Sequence, residues 1–165
     1  MKISSKGIDL IKQFESLHDG NMLKIGLQPK LCPAGIVTVG YGHALHKLDG
    51  SWMRNISDVE KVFPQFANID EVMACKLLAE DCTRFENGVN ALILNINQNQ
   101  FDALVSFSFN VGLQALKDST LLKRVKGLVQ SPAIEQCFGM WNKSNGIALN
   151  GLTARRKAEA KLYLS

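Results

Sequence analysis

Apolar residues recur at three- and four-residue steps along most of this chain, which is the spacing of amphipathic helices with one buried face. The longest such run predicts a single helix over about residues 70–94. Shorter runs predict helices over about residues 5–16, 98–111, 119–126 and 152–164, and one that begins at Ser131 with Pro132 in its first turn. The sequence SDVE at residues 57–60 has the pattern of a capping box at a further helix start.

One stretch departs from this helical spacing. The sequence LCPAGIVTVGYGH at residues 31–43 sets a Cys-Pro pair and a glycine turn before a β-branched run, which is typical of a tight hairpin. Thr38 is expected to point away from Val37 and Val39, because successive side chains of a strand alternate between faces. The pattern therefore predicts a mainly helical α+β fold with one small sheet near its N-terminal end.

Composition narrows the class of protein without choosing a function. The 165 residues allow one domain, or two small lobes that share a core, and 46% hydrophobic with 21% charged residues argues against disorder. The net charge of +4 suits an acidic partner such as a cell-wall glycan, a nucleic acid or a membrane surface. Charged residues interrupt the first 15 positions, so we expect synthesis in the cytoplasm without a signal peptide.

Three residues stand out as a set, although each alone has an ordinary explanation. Glu15 alone is a surface glutamate at a helix end, Thr38 is a strand former and Cys32 is a small buried residue. Together, a helix that ends in Phe-Glu and the stretch CPAGIVTVGYGH resemble the N-terminal signature of the phage-type lysozymes, glycoside hydrolase family 24. Later segments resemble the helical lobe of that family in the same order, namely QFDALVSFSFNVG at 100–112, STLL at 119–122 and GLTARRKAEAKLYL at 151–164.

The resemblance implies a lysozyme-like fold in a single domain over residues 1–165. A lobe of about residues 15–68 would carry the small antiparallel sheet. The long helix would join it to a helical lobe of about residues 70–165, on which the first helix packs. The expected fold class is therefore α+β and mainly helical.

The resemblance also implies a peptidoglycan hydrolase, a muramidase that cleaves the β-1,4 bond between N-acetylmuramic acid and N-acetylglucosamine and so lyses bacterial walls. Such a reaction needs a proton donor at the leaving oxygen and a group that guides attack on the anomeric carbon. Glu15 matches the general acid of the family, and Thr38 would hold the attacking water or the reacting sugar. Cys32 stands where many relatives have Asp. It could be a nucleophile, a group that orients water, or a substitution that makes the enzyme inactive.

The helical lobe of the family supplies the other expected site residues. Phe109 and Asn110 match an aromatic-amide pair in which the ring stacks on sugar and the amide binds an N-acetyl group. Arg155 matches the arginine that orients the general acid, with Arg156 as the competing candidate. The remaining expected site residues are Ser119 and Thr120, whose hydroxyl groups would contact the glycan, and Trp141, which is expected in the core or at the rear wall of the site.

His43, at the end of the strand motif, is expected to be a structural hydrogen-bonding residue behind the hairpin. A metal site made of His43, His46 and Cys32 has none of the usual ligand spacings of zinc. We therefore expect neither a metal nor another cofactor.

The segment between Glu15 and Cys32 is several residues longer than the family pattern, and the extra residues fall at 18–30. A loop absorbs such an insertion at small entropic cost, but substrate preference could change with it. The insertion contains Asp19, a second carboxylate candidate that ranks below Cys32 because Asp-Gly-Asn is a typical turn sequence.

Three alternatives to a muramidase stay open. The first is a lytic transglycosylase that forms an anhydro product, and the second is a non-catalytic peptidoglycan-binding protein. The third is nucleic-acid binding, for which no recognition motif is present, through the basic residues Lys123, Arg124, Lys126 and the cluster at 155–157. The expected partner is bacterial peptidoglycan, reached at the cell wall or periplasm after release from the host cytoplasm, with a holin as the candidate for the membrane lesion. We expect a monomer and no nucleic-acid partner.

Overall fold

The computed structural model describes residues 1–15, 17, 19–21, 23–127 and 132–165. The helices in these ranges are α1 Ser5–Phe14, α2 Val59–Val62, α3 Glu71–Asn90, α4 Gln98–Val111, α5 Leu113–Asp118, α6 Thr120–Lys126, α7 Pro132–Gly139 and α8 Asn150–Tyr163. The strands are β1 Lys30–Leu31, β2 Val37–Val39, β3 His43–Ala44, β4 Lys143–Ser144 and β5 Ile147–Ala148. Short 3₁₀ helices occupy Ile56–Asp58 and Pro64–Phe66.

The prediction of a mainly helical α+β fold with one small antiparallel sheet is confirmed, and a second antiparallel sheet, of strands β4 and β5, is present in addition. The chain divides into two compact units, which are residues 1–14 with 82–165 (the helical unit) and residues 15–81 (the sheet unit). Their arrangement as a single lysozyme-like domain stays a prediction. None of the helices in the described ranges is long and apolar enough to cross a membrane.

Helix α4 forms the centre of the helical unit. Residues 100–108 are all buried, and α4 packs against both α1 and α8. Its start is fixed by a capping box, because Asn97 Oδ1 accepts from the Gln100 backbone N–H at 2.9 Å and Gln100 Oε1 accepts from the Asn97 N–H at 2.9 Å. A helix enclosed on every side is the rigid element on which a site is best supported.

The buried carboxylate of Asp102 ties the start of α1 to α4. It accepts hydrogen bonds from the Ser4 backbone N–H at 3.0 Å and from the Ser4 hydroxyl. The helices approach so closely here that a Cβ on Gly7 would lie 2.9 Å from the Asp102 Cβ. The position of α1, whose last residue precedes Glu15, is therefore set by polar and steric contacts within the helical unit.

The predicted hairpin forms the centre of the sheet unit, in a three-stranded antiparallel sheet of order β1-β2-β3. The Cys32 N–H donates to Ile36 O at 2.9 Å, and the Gly35 N–H donates to Cys32 O at 2.8 Å. Pro33 supplies the fixed φ of a type I turn, and Gly35 takes the left-handed conformation that closes a three-residue hairpin loop, with φ +70°. Cys-Pro-Ala-Gly is thus the turn itself.

Gly40, in the GYG part of the motif, lets β2 approach α3 closely. Its φ is +57°, and a Cβ there would lie 2.9 Å from the Ala74 Cβ and 3.1 Å from the Ala74 Cα. We expect Gly40→Ala to lower the free energy of unfolding by about 2 kcal/mol, since left-handed strain and overpacking each cost about 1–3 kcal/mol. Urea denaturation measures the change.

Gly151→Ala is the matched control, because its added Cβ meets nothing within 4 Å and its φ is not positive. The control should change the free energy of unfolding by less than about 0.5 kcal/mol. Equal stability of the Gly40 and Gly151 variants would contradict this account of the motif.

The capping box predicted at residues 57–60 is wrong. Asn55 supplies the cap instead, and its Oδ1 accepts from the Ser57 backbone N–H at 3.1 Å. Ser57 therefore lies inside a 3₁₀ turn rather than before a helix. The predicted start of α7 at Ser131 lies outside the described residues.

Candidate functional site

The three residues predicted to react with substrate all belong to the sheet unit. Glu15 follows the last residue of α1 and is half-buried, and Cys32 opens the hairpin turn and is also half-buried. Lys30 pairs with Thr38 across β1 and β2, so Cys32, two residues beyond Lys30, lies on the same face of the ribbon as Thr38. The register thus brings Cys32 and Thr38 onto one surface.

Thr38 is held in the central strand and is 4% exposed. Its hydroxyl donates to Lys30 O at 3.1 Å. A hydroxyl has one proton and two acceptor lone pairs, so a water bound at this oxygen must donate to it. A water that donates to the Thr38 hydroxyl oxygen has the lone pairs of its own oxygen available to interact with another atom.

His43 makes the kind of hydrogen bond that was expected of it. Its Nδ1 lies 3.0 Å from each carboxylate oxygen of Asp81, and its ring lies beside Phe66 with centroids 6.1 Å apart. His46 stacks instead on Trp52, with ring centroids 4.0 Å apart. In the part of the chain that the structure describes, no group of three or more His, Cys, Asp or Glu side chains is arranged to hold a metal ion.

Asp19 acts as a turn residue in the insertion. Its Oδ1 accepts from the backbone N–H of Asn21 at 3.0 Å and of Gln28 at 3.5 Å. These contacts agree with the interpretation of Asp-Gly-Asn as a turn.

In the helical unit, Phe109 and Asn110 lie near the C-terminal end of α4. The Phe109 ring is half-buried and tilts against Phe85, with centroids 5.2 Å apart. Asn110 is exposed, and its Oδ1 accepts from Arg156 Nη2 at 2.9 Å. The ring is therefore part of the core edge, while the amide is available to a ligand.

The predicted substrate contact of Ser119 is corrected by the structure. Ser119 is 3% exposed, and its hydroxyl donates to Leu116 O at 2.7 Å and accepts from the Leu122 N–H at 3.0 Å as the N-cap of α6. Burial and capping use the hydroxyl that was expected to meet sugar. Thr120, the next residue, is exposed.

Arg155 and Arg156 share one buried carboxylate, that of Glu159. Arg155 Nε donates to Glu159 Oε1 at 3.2 Å, and Arg156 Nε lies 3.0 Å from Oε2. Ser106 Oγ also donates to Oε1, at 2.9 Å. Burial raises the pKa of Glu159, and the guanidinium groups of Arg156 and Arg155 together with the Ser106 hydrogen bond oppose this rise.

Sequence reasoning missed Glu159 and Ser106, although Glu159 follows the two arginines at the three- and four-residue steps of one helix face. The guanidinium carbon of Arg155 also lies 5.9 Å from the centroid of the Phe14 ring, in the last residue of α1. Arg155 is 3% exposed and Arg156 1% exposed, so neither belongs to a solvent-facing basic surface. This burial removes two charges from the nucleic-acid alternative, whereas its other four basic residues are exposed, namely Lys123, Arg124, Lys126 and Lys157.

Trp141 packs edge-on against Phe107, with ring centroids 5.7 Å apart and planes at 89°. Trp141 is half-buried at the margin of the core, while Phe101 and Phe107 are buried within it. These contacts support the interpretation of Trp141 as a core residue.

Comparison with known proteins identifies the family. Residues 22–159 match the family described as phage lysozyme. The chain belongs to the phage lysozyme family. The resemblance drawn from the hairpin and helical motifs is thus confirmed. The family match begins after Glu15 and includes Cys32 and Thr38.

Two curated relatives extend the similarity over the whole chain and are both named endolysin. The protein of Bacillus phage B103 is 41% identical over 167 residues, and this chain spans 55% of its length. The protein of Salmonella phage P22 is 33% identical over 166 residues, and the match covers 99% of that protein. Both matches cover 100% of this chain, so both include Glu15.

Solved structures of phage lysozyme relatives share the fold. A P22 lysozyme mutant superposes with a TM-score of 0.76 at 30% identity and covers 100% of this chain and 99% of its own. The muramidase domain of SpmX from Asticaccaulis excentricus has a TM-score of 0.75 at 32% identity, covering 99% of this chain and 98% of its own. The lysozyme-like fold class is therefore confirmed.

Proposed function

We propose that the chain is a peptidoglycan muramidase that hydrolyses the β-1,4 bond between N-acetylmuramic acid and N-acetylglucosamine. The observation that carries the proposal is the whole-chain similarity to endolysins together with membership of the phage lysozyme family. The chain also has Glu15, Cys32 and Thr38 in the order and context of the family signature. Glycosidase chemistry on a wall glycan is the reaction that these residue types suit best.

In the proposed reaction, the Glu15 carboxyl group donates its proton to the leaving glycosidic oxygen as the bond to the anomeric carbon breaks. Thr38 holds a water that donates to its hydroxyl oxygen, because the hydroxyl proton is already bonded to Lys30 O. Cys32 lies on the same face of the hairpin. Once its sulfur has given its proton to solvent, it either takes a proton from the water whose oxygen bonds to the anomeric carbon, which gives inversion, or bonds through sulfur to that carbon as the glycosidic oxygen leaves. In the second case, water activated by the Glu15 carboxylate later breaks the glycosyl–sulfur bond and releases the sulfur, which gives retention.

The remaining site residues act on binding and support in this proposal. Asn110 and Phe109 contact the glycan, Thr120 adds a hydroxyl, and Arg155 orients the general acid. We further propose that the protein reaches the wall through a membrane lesion made by a holin and that it acts as a monomer. Size-exclusion chromatography with light scattering tests the monomer.

Cys32→Ser is expected to lose most activity, at least about 10-fold, while Cys32→Asp retains a measurable part of it. Serine removes both the thiolate and its nucleophilicity, whereas a carboxylate can take a proton or stabilise a positive anomeric carbon. Initial rates of clearing of outer-membrane-permeabilised Gram-negative cells measure the difference.

Cys75→Ser is the matched control, since Cys75 is also half-buried and free but lies on α3. It should clear cells at nearly the wild-type rate. Full activity in Cys32→Ser would remove this thiol from the mechanism.

The same turbidity assay on the wild-type chain tests the function itself. Clearing by a catalytic amount of protein supports an enzyme that degrades the wall. Tight binding to purified peptidoglycan without clearing would instead support the non-catalytic alternative.

A further inference from the structure

The contact between Arg156 and Asn110 joins a buried residue of α8 to an exposed residue of α4. Arg156 Nη2 lies 2.9 Å from Asn110 Oδ1, across 46 positions of sequence. Arg156 is 1% exposed, whereas Asn110 is open to solvent. A buried cation therefore holds one end of a surface amide.

The chemistry of this pair fixes which end is held. A guanidinium group only donates hydrogen bonds, so the amide atom that faces it must be the carbonyl oxygen. The amide nitrogen of Asn110 is then turned away from Arg156, and it has no hydrogen-bond partner among the described residues. Asn110 consequently presents two N–H donors and withholds its acceptor.

Arg156 is itself firmly placed. Its Nη2 donates to Glu159 Oε1 at 3.2 Å, and its Nε lies 3.0 Å from Oε2 of the same carboxylate. Its guanidinium carbon also lies 5.0 Å from the centroid of the buried Phe107 ring. A planar cation fixed by a carboxylate and an aromatic face has little freedom, so the amide that it holds is kept in one orientation.

We propose that Arg156 is a positioning residue that keeps Asn110 in its donor orientation, so that Asn110 selects the carbonyl oxygen of an N-acetyl group on the glycan. The inference rests on the proposed function and adds to it a determinant of substrate choice. A sugar that has lost its acetyl group offers an ammonium, which only donates and is positively charged. Two donors face each other in that case, and the de-N-acetylated sugar is rejected.

The test uses Asn110→Asp, which has nearly the same shape as asparagine. One carboxylate oxygen keeps the bond to Arg156, and the other replaces the N–H donors with an acceptor. The measured quantity is kcat/KM on soluble glycan strands that are either fully N-acetylated or partly de-N-acetylated. We expect the ratio of kcat/KM on fully N-acetylated strands to kcat/KM on partly de-N-acetylated strands to fall by about 10-fold or more in Asn110→Asp. The variant loses a hydrogen bond to the acetyl group and gains a charge contact with the ammonium, and both changes lower this ratio.

Arg156→Gln tests the positioning role separately, because glutamine both donates and accepts and no longer fixes the Asn110 amide. It should reduce the preference for acetylated strands when Asn110 is present, and should have no further effect on that preference in an Asn110→Ala background. Arg156→Lys, which only donates, should restore part of the preference. A merely structural role would lower kcat equally in both backgrounds and leave the preference unchanged.

The outcomes separate this inference from the proposed function. A wild-type chain that cleaves no glycan would contradict the function. A wild-type chain that cleaves, with the same preference in Asn110→Asp, would overturn the inference alone. If Arg156→Gln fails to fold, the comparison of Asn110→Asp with Asn110→Ala still decides, because both changes lie at an exposed position.

Discussion

Glu15→Gln is expected to lower the rate of cell clearing by about 10³-fold, within the range of about 10²–10⁴ that a positioned general acid contributes. Glutamine keeps the size of the side chain and its hydrogen-bonding capacity but has no proton to give to the leaving oxygen. Turbidity of outer-membrane-permeabilised Gram-negative cells gives the rate over this range. Binding to purified peptidoglycan should change little, because the variant removes a reacting proton and not a binding surface.

Glu80→Gln provides the control for this loss, since Glu80 is an exposed glutamate on α3 in the same unit. It should clear cells at the wild-type rate. Thermal denaturation of both variants then separates lost chemistry from lost folding. Equal clearing by Glu15→Gln and the wild-type chain would refute the assignment of the general acid.

The second large effect is expected in stability, from Glu159→Gln. Glu159 is 0% exposed and is the shared partner of Arg155 and Arg156, both of them buried. Neutralising it leaves two guanidinium groups without their carboxylate, and breaking a buried ion pair from one side costs about 3–5 kcal/mol. We expect a loss of this size in the free energy of unfolding, measured by urea denaturation.

Glu135→Gln is the matched control, because Glu135 is exposed on α7. It should change the free energy of unfolding by less than about 0.5 kcal/mol. A loss below about 1 kcal/mol in Glu159→Gln would show that the network adds little to stability.

Local signals predicted helices best where periodicity and caps agreed. The predicted range 98–111 is the range of α4, and α6 ends at Lys126, where the predicted range 119–126 also ends. The long helix was predicted to reach residue 94 but ends at Asn90. Leu92 and Leu94 continue the apolar spacing because they pack on the core from a turn, in which Ile93 has a φ of +50°. Apolar spacing reports burial, and burial does not require a helix.

The small hairpin of β4 and β5 was missed although its signal was present. Asn145 and Gly146 have φ values of +49° and +80°, which is the Asn-Gly geometry of a type I′ turn between two strands. Its strands are only two residues each and their side chains are exposed, so no alternation of apolar residues marked them. The Asn-Gly dipeptide was therefore the only feature of the sequence that indicated this hairpin.

The residues of the candidate site also differ in whether the sequence could predict them. Glu15, Cys32 and Thr38 could be predicted because they lie within or beside one local motif, and their type and spacing carry the resemblance. The pairing of Arg156 with Asn110 and of Ser106 with Glu159 could not, since these contacts join residues 46 and 53 positions apart. Only the packing of α8 against α4 decides which arginine meets which partner.

The chemical identity of the new chain ends in digested peptidoglycan tests the central claim most directly. Purified Gram-negative wall is digested with the wild-type chain and with Glu15→Gln, reduced with borohydride and analysed by mass spectrometry. A muramidase adds water at N-acetylmuramic acid, so we predict reduced muramic acid ends with the wild-type chain and none above background with Glu15→Gln. Anhydromuramic ends, or reduced glucosamine ends, would contradict the claim.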